Sequence, residues 1–364
     1  MAAPARPLLE GLTRFAAGFD RAAHWAALSR SERSRRRSQA ESLGPRERAE
    51  ALRNLRDRYK RPELLATPEL FFPAPRAPLA KETAVRAFGR AGEVVDLKWD
   101  SGYALFAEDV AERYLRHEAN RTVVARLVRH RDRPRPAVVL VHGYLGGNFA
   151  LEERAWPLGW LFEAGLDVAL AVLPMHGPRA SGGRPRFPSS DPRVTNEGFR
   201  QAVHDLRGLV CHLRARGAPA VGMMGMSLGG YTTALVATVE PDLAFAVPFI
   251  PLASIADFAR EGGRYVGTVS QQAEQHRLLE EVHAVVSPLS RPPLVPPAGR
   301  LVVAGEADRI TPADHARRIA EHFEAPLETF PGGHLLQFGR ARGFRAVGRM
   351  LGGLGLLEPR SRGR

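Results

Sequence analysis

The chain has 364 residues, of which 44% are apolar and 25% charged, with a formal net charge of +13 at pH 7. A chain of that length can bury about three quarters of its unfolded surface and needs no covalent staple; its single cysteine, Cys211, excludes an internal disulfide. The positive balance is almost entirely arginine, spread through an Ala-, Gly- and Pro-rich chain, and no nucleic-acid-binding motif accompanies it, so it reads as composition and not as a nucleic-acid footprint.

Residues 1–75 are read as a helical N-terminal extension and linker. Leu8, Leu12, Phe15 and Phe19 fall at helical spacing between arginines. This stripe needs cover, and packing against the rest of the chain or a second subunit is favoured over contact with an anionic membrane surface. The stretch SRSERSRRRSQAESLGPRERAEALRNLRDRY is predicted to be solvated, and TPELFFPAPRAPLA to run as an extended linker along the surface. No apolar run reaches about 18 residues, which predicts no transmembrane helix. Glu10 and Arg14 interrupt the N-terminus, which argues against a signal peptide and for a cytoplasmic protein.

From about residue 92 the pattern alternates. GEVVDLKW and TVVARLVRH read as strands, AVVLVHG as a strand buried on both faces, LEERAWPLGWLFEAG as one helix and DVALAVLP as another buried strand. A helix ending at Gly217, the strand AVGMMGMS, the helix LGGYTTALVATVE, and the strands FAVPFI, RLVVAGE and LETF follow, with the helix PADHARRIAEHF between the last two. Such alternation predicts an α/β fold on a mostly parallel sheet over residues 76–358. Residues 254–298 break it and are read as a small cap insertion above the carboxyl ends of the strands, where ligands bind in such sheets. Residues 359–364 are a basic tail.

Gly225-Met226-Ser227-Leu228-Gly229 follows one buried strand and opens a helix, the context of a nucleophile elbow. A serine on so sharp a turn needs small neighbours, which Gly225, Gly229 and Gly230 supply. A hydroxyl attacks only when a base takes its proton. Asp308, at the end of a buried strand, is the expected acid, with Glu306 as runner-up. His334, in the glycine-rich loop of FPGGHLLQF, is the expected base ahead of His283, His315 and His322 on predicted helices. The glycine-rich turn His142–Gly147 would form the oxyanion hole, with the backbone amides of Tyr144 and Leu228 as donors and His142 bonded within its own loop. In LPMHGPR, His176 and Arg179 are candidate substrate-binding residues that could meet an anionic leaving group. No phosphate-binding loop, dinucleotide fingerprint or clustered metal-ligand signature occurs, so neither a cofactor nor a metal is expected.

LVHGYLGG, GMSLGGY, GEADRITP and PGGH, in this order, resemble the α/β-hydrolase superfamily over roughly residues 92–356. Together with LPMHGPR and SGGRPRFPSS they look like a poorly characterised branch of α/β-hydrolase domain-containing proteins. The resemblance implies an eight-stranded sheet flanked by helices, a metal-free Ser227–Asp308–His334 triad, and a small-molecule or lipid-like acyl substrate, first of all an ester. An acyltransferase using the same triad and a non-catalytic binding protein are the alternatives. Oligomeric state is left open.

Overall fold

The computed structural model describes residues 10–21, 43–182 and 185–358. Residues 10–21 form helix α1; α2 (Pro45–Tyr59) and α3 (Pro62–Ala66) follow. The remaining elements are β1 (Lys81–Phe88), β2 (Gly92–Asp100), α4 (Ala111–Leu115), β3 (Thr122–His130), β4 (Ala137–Val141), α5 (Phe149–Ala155), α6 (Leu158–Glu163) and β5 (Asp167–Ala171). Then come α7 (Pro192–Ala215), β6 (Val221–Met226), α8 (Leu228–Ala237), β7 (Leu243–Phe249), α9 (Ile255–Glu261), α10 (Val269–His283), β8 (Val302–Gly305), α11 (Ala313–His322), β9 (Leu327–Phe330) and α12 (Ala341–Gly353).

The strands make one sheet in the order β1-β2-β3-β5-β4-β6-β7-β8-β9. The first three pair antiparallel, as do β3 and β5, and every later pairing is parallel. The predicted α/β fold is therefore present, with nine strands in place of the expected eight. The added strand, β1, is an edge that is almost wholly exposed, so it carries no buried hydrophobic face by which sequence pattern could find it.

Strand β4 is buried at all five positions. Val139 and Val141 enter the core on one face of the sheet, and Val138 and Leu140 enter the core on the other. The chain leaves β4 to build β5 on one side and later β6 on the other, so strand order reverses there. A crevice opens at the carboxyl ends of strands at such a point, and the register places Val141 of β4 against Gly225 of β6 at its edge.

Three expectations from the sequence need correction. LEERAWPLGWLFEAG is two helices, broken at Pro157, because proline cannot donate the helical hydrogen bond and clashes with the preceding turn. TPELFFPAPRAPLA is no surface linker at its apolar centre. Phe71 and Phe72 are buried in the main core, and their carbonyls accept hydrogen bonds from Arg200 (2.6 Å) and Arg207 (3.0 Å). The stripe on α1 is not its packing face either: Leu12, Phe15 and Phe19 are 40%, 65% and 46% exposed, and Leu8 lies outside the described residues. The small residues Ala16 and Ala17, with Asp20, face inward instead. No helix among the described residues is long and apolar enough to cross a membrane.

Candidate active site

Ser227 lies between the end of β6 and the start of α8 with φ 56° and ψ −115°. A non-glycine residue held there stores about 1–3 kcal/mol of strain, and the surrounding backbone determines the conformation. The Ser227 amide donates to Phe249 O (3.0 Å), and its carbonyl accepts from the amide of Tyr231 (2.9 Å). Gly225 and Gly229 are what let strand and helix come this close. A Cβ on Gly225 would overlap the carbonyl of Gly229, and one on Gly229 would overlap the carbonyl of Val141.

Asp308 and His334 lie against each other. His334 Nδ1 lies 2.7 Å from Asp308 Oδ2. The carboxylate is completely buried and the imidazole is mostly buried. The other oxygen, Asp308 Oδ1, accepts from the amides of Ile310 (2.9 Å) and Thr311 (2.8 Å). The carboxylate is thereby fixed in its turn and cannot swing away from the ring. The Thr311 hydroxyl, which sequence reasoning missed, lies 3.0 Å from His334 Nδ1, 3.1 Å from Asp308 Oδ2 and 3.0 Å from the carbonyl of Ile250. Ile250 follows Phe249, the partner of Ser227, so one short backbone segment ties the elbow to the acid–base pair.

Glu306, the other acid considered, is exposed and accepts from Thr329 Oγ1 (2.8 Å). The other histidines have separate roles. His283 bonds Asn196 (2.6 Å), His315 accepts from the amide of Ala253 (3.2 Å), and His322 bonds the carbonyl of Arg291 (2.8 Å).

The turn after β4 sits against the elbow: a Cβ on Gly143 would lie 3.4 Å from Ser227 Cβ and 4.0 Å from its Oγ. His142 shapes that turn. Its Nδ1 lies 2.7 Å from the carbonyl of Gly143, and its Nε2 accepts from the amide of Leu173 (3.0 Å). This arrangement requires a neutral ring, and burial, aided by the neighbouring His176, pushes its pKa down to about 3. Glu152 of α5 braces the same loop by accepting from the amide of Gly147 (3.0 Å), and burial raises its pKa. Leu228 is the first residue of α8, so its N–H has no carbonyl one helical turn back to bind. Tyr144 is half-exposed above the same turn.

His176 and Arg179 do not line an open pocket, contrary to the sequence expectation, and both are fully buried. Arg179 is committed to Asp205 (2.7 Å) and to the carbonyls of Val172 (2.9 Å) and Asn120 (3.0 Å). A guanidinium already paired and bonded beneath the surface cannot meet a leaving group. His176 bonds the carbonyl of Pro174 (2.8 Å), and burial holds its pKa at about 4. The Pro-Gly turns that marked this loop serve packing.

Among the described residues, Asp257, His276 and Glu280 are grouped closely enough to suit a metal ion. Asp257, however, is already bonded by Arg260, Arg318 and His276, so its charge is compensated without one. An open cleft of about 460 Å³ lies by Ala137 and Asp167, at the amino ends of β4 and β5, the opposite end of the strands from Ser227.

The strand order, the serine elbow and the acid–histidine pair at neighbouring strand ends define the α/β-hydrolase fold. Solved structures agree. The chain is similar to an acetyl xylan esterase from Paenibacillus sp. R4 (TM-score 0.56, 14% identity) and to acetyl xylan esterase 1 from Thermoanaerobacterium sp. JW/SL YS485 (TM-score 0.54, 18% identity). Each match covers 82% of this chain and 98% of the other. No family model matches the sequence. By sequence the chain is 37% identical over 283 residues to uncharacterised proteins from two strains of Mycobacterium tuberculosis, a match covering 74% of this chain. It spans 66% of the length of those relatives.

Proposed function

We propose that the protein is a serine hydrolase that cleaves a carboxylic ester through an acyl-enzyme. Ser227 Oγ attacks the acyl carbon while His334 takes its proton. Asp308 holds the imidazole so that Nδ1–H faces the carboxylate and Nε2 is left to act as base. The amides of Tyr144 and Leu228 stabilise the oxyanion, at about 2.7–4 kcal/mol for one such donor. His334 then returns the proton to the leaving alkoxide and activates water for release of the acyl group. The observation that carries this reading is the positive-φ serine beside the Gly143 turn, joined through Phe249 and Ile250 to the buried Asp308–His334 pair. An ester is the first bond to try because the two fold neighbours above are named as acetyl xylan esterases.

The test is to treat the purified protein with a fluorophosphonate serine probe, then to assay a chain-length series of model esters. Labelling at Ser227 with release of free acid is the expected result. Absence of labelling would end the reading, and transfer of the acyl group to an added alcohol in preference to water would make the protein an acyltransferase.

A further inference from the structure

The loop carrying His334 is held by a residue from the far end of the chain. Asp20 of α1 is fully buried, and its carboxylate accepts three backbone amides. Those of His334 (2.6 Å) and Arg309 (3.4 Å) reach Oδ2, and that of Leu335 (3.1 Å) reaches Oδ1. These amides belong to the base and to residues next to the base and the acid. The helix approaches closely because Ala16 and Ala17 pack on Ala307, with Leu336 and Phe338 beside them.

The double glycine before His334 fits the same contact. A Cβ on Gly333 would overlap Asp20 Oδ2, so that position stays open for the carboxylate. Asp308 thus orients the ring of His334 from one side, while Asp20 fixes the backbone beneath it from the other.

We propose that Asp20 is a positioning residue for the candidate base. It clamps the His334 loop from the N-terminal helix, so α1 is part of the active-site framework. As it concerns turnover, this rests on the serine-hydrolase reading above. A hydrogen bond from an amide to a buried charged group is worth enough that losing it should raise local opening by roughly tenfold or more. A misplacement of about 1 Å at a reacting group can cost about 100-fold in rate.

The experiment uses full-length Asp20→Ala and Asp20→Asn. Asp20→Ala removes every acceptor, and Asp20→Asn keeps one carbonyl oxygen. Three quantities are read: amide hydrogen exchange over residues 331–338, kcat and KM on a model ester, and the melting temperature. In Asp20→Ala the expected result is exchange at His334 and Leu335 roughly tenfold faster or more, and kcat lower by about 100-fold at little-changed KM. Asp20→Asn should fall in between. Unchanged exchange at those amides overturns the proposal. So does an unchanged kcat, or a fall in activity that matches the fall in folded fraction at the assay temperature. If the wild type neither labels nor turns over ester, the hydrolase reading fails, and the exchange measurement still decides whether Asp20 clamps the loop.

Discussion

Two clusters at the carboxyl ends of this sheet carry the same kinds of side chain and do different work. One sets His334 against Asp308, joined to the elbow serine through Thr311, Ile250 and Phe249. The other sets His142 and His176 beside the Arg179–Asp205 pair. Both hold histidine, a carboxylate and glycine-rich turns. They differ in what the hydrogen-bonding groups are committed to. Both terminal nitrogens of Arg179 are bonded to protein groups, and His142 uses both ring nitrogens on its own loop and its neighbour. His334 is bonded to protein through Nδ1, which leaves the other nitrogen for chemistry. His176 also leaves one ring nitrogen unbonded, but the ring is fully buried, whereas that of His334 is not; residue type and strand-end position mark a candidate, and hydrogen bonds together with burial separate candidate catalyst from scaffold.

The sharpest test of that comparison is at the serine. Ser227→Ala should lower kcat on the order of 10⁶-fold while thermal unfolding stays close to wild type, as read by initial rates and calorimetry; a folded variant with near-normal turnover would remove the serine from the mechanism. His334→Gln should cost nearly as much, because serine and base act as a unit, whereas His322→Gln, whose ring bonds the carbonyl of Arg291, should keep its rate. A reversed pattern would move the base elsewhere.

On the scaffold side, Arg179→Met should behave in the opposite way. It strands the buried Asp205 carboxylate, an effect worth about 3–5 kcal/mol of stability, while kcat per folded molecule stays near wild type. Denaturant midpoints and active-site titration measure the two quantities separately. Adding Asp205→Asn should recover part of the loss, because the uncompensated charge is then gone.

The last test is acid sensitivity. Burial holds His142 near pKa 3, His176 near 4 and His283 near 3, against about 6.5 in the unfolded chain. Between those values the unfolded state binds the protons. Stability is therefore full above about pH 6.5 and falls as pH drops toward 4, by up to about 1.4 kcal/mol per unit for each histidine. Denaturant midpoints at pH 7, 6 and 5 should show that slope. A flat profile would mean that these rings are hydrated.

The triad candidates were legible because each sits in a short motif whose place in strand and loop order is readable: GMSLG after a buried strand, GEAD at a strand end, and PGGH in the last loop. Composition also told which strands are buried, since β4 and β8 are continuous apolar runs and β5 is one after Asp167. What sequence could not provide depends on contacts between distant segments. β1 is held by its ladder and by ion pairs such as Glu82 with Arg129 (2.9 Å), neither of which leaves a hydrophobic period. Arg179 looked free because Asp205, its partner, lies on another element. Thr311 was readable in hindsight, since a hydroxyl three residues after the acid can turn back onto it. Asp20 carried no local signal, and the apolar positions of α1 pointed to the wrong face.

Asp20 and His334 stand 314 residues apart. Chains emerge from the ribosome N-terminus first, and long-range contacts form late. A nascent chain therefore carries α1, the sheet centre and the serine elbow well before it carries Asp308 or the loop of His334. On the serine-hydrolase reading proposed above, the nucleophile is made early and stays chemically inert, and its activation waits until nearly the whole domain has been synthesised and α1 has found the loop of His334.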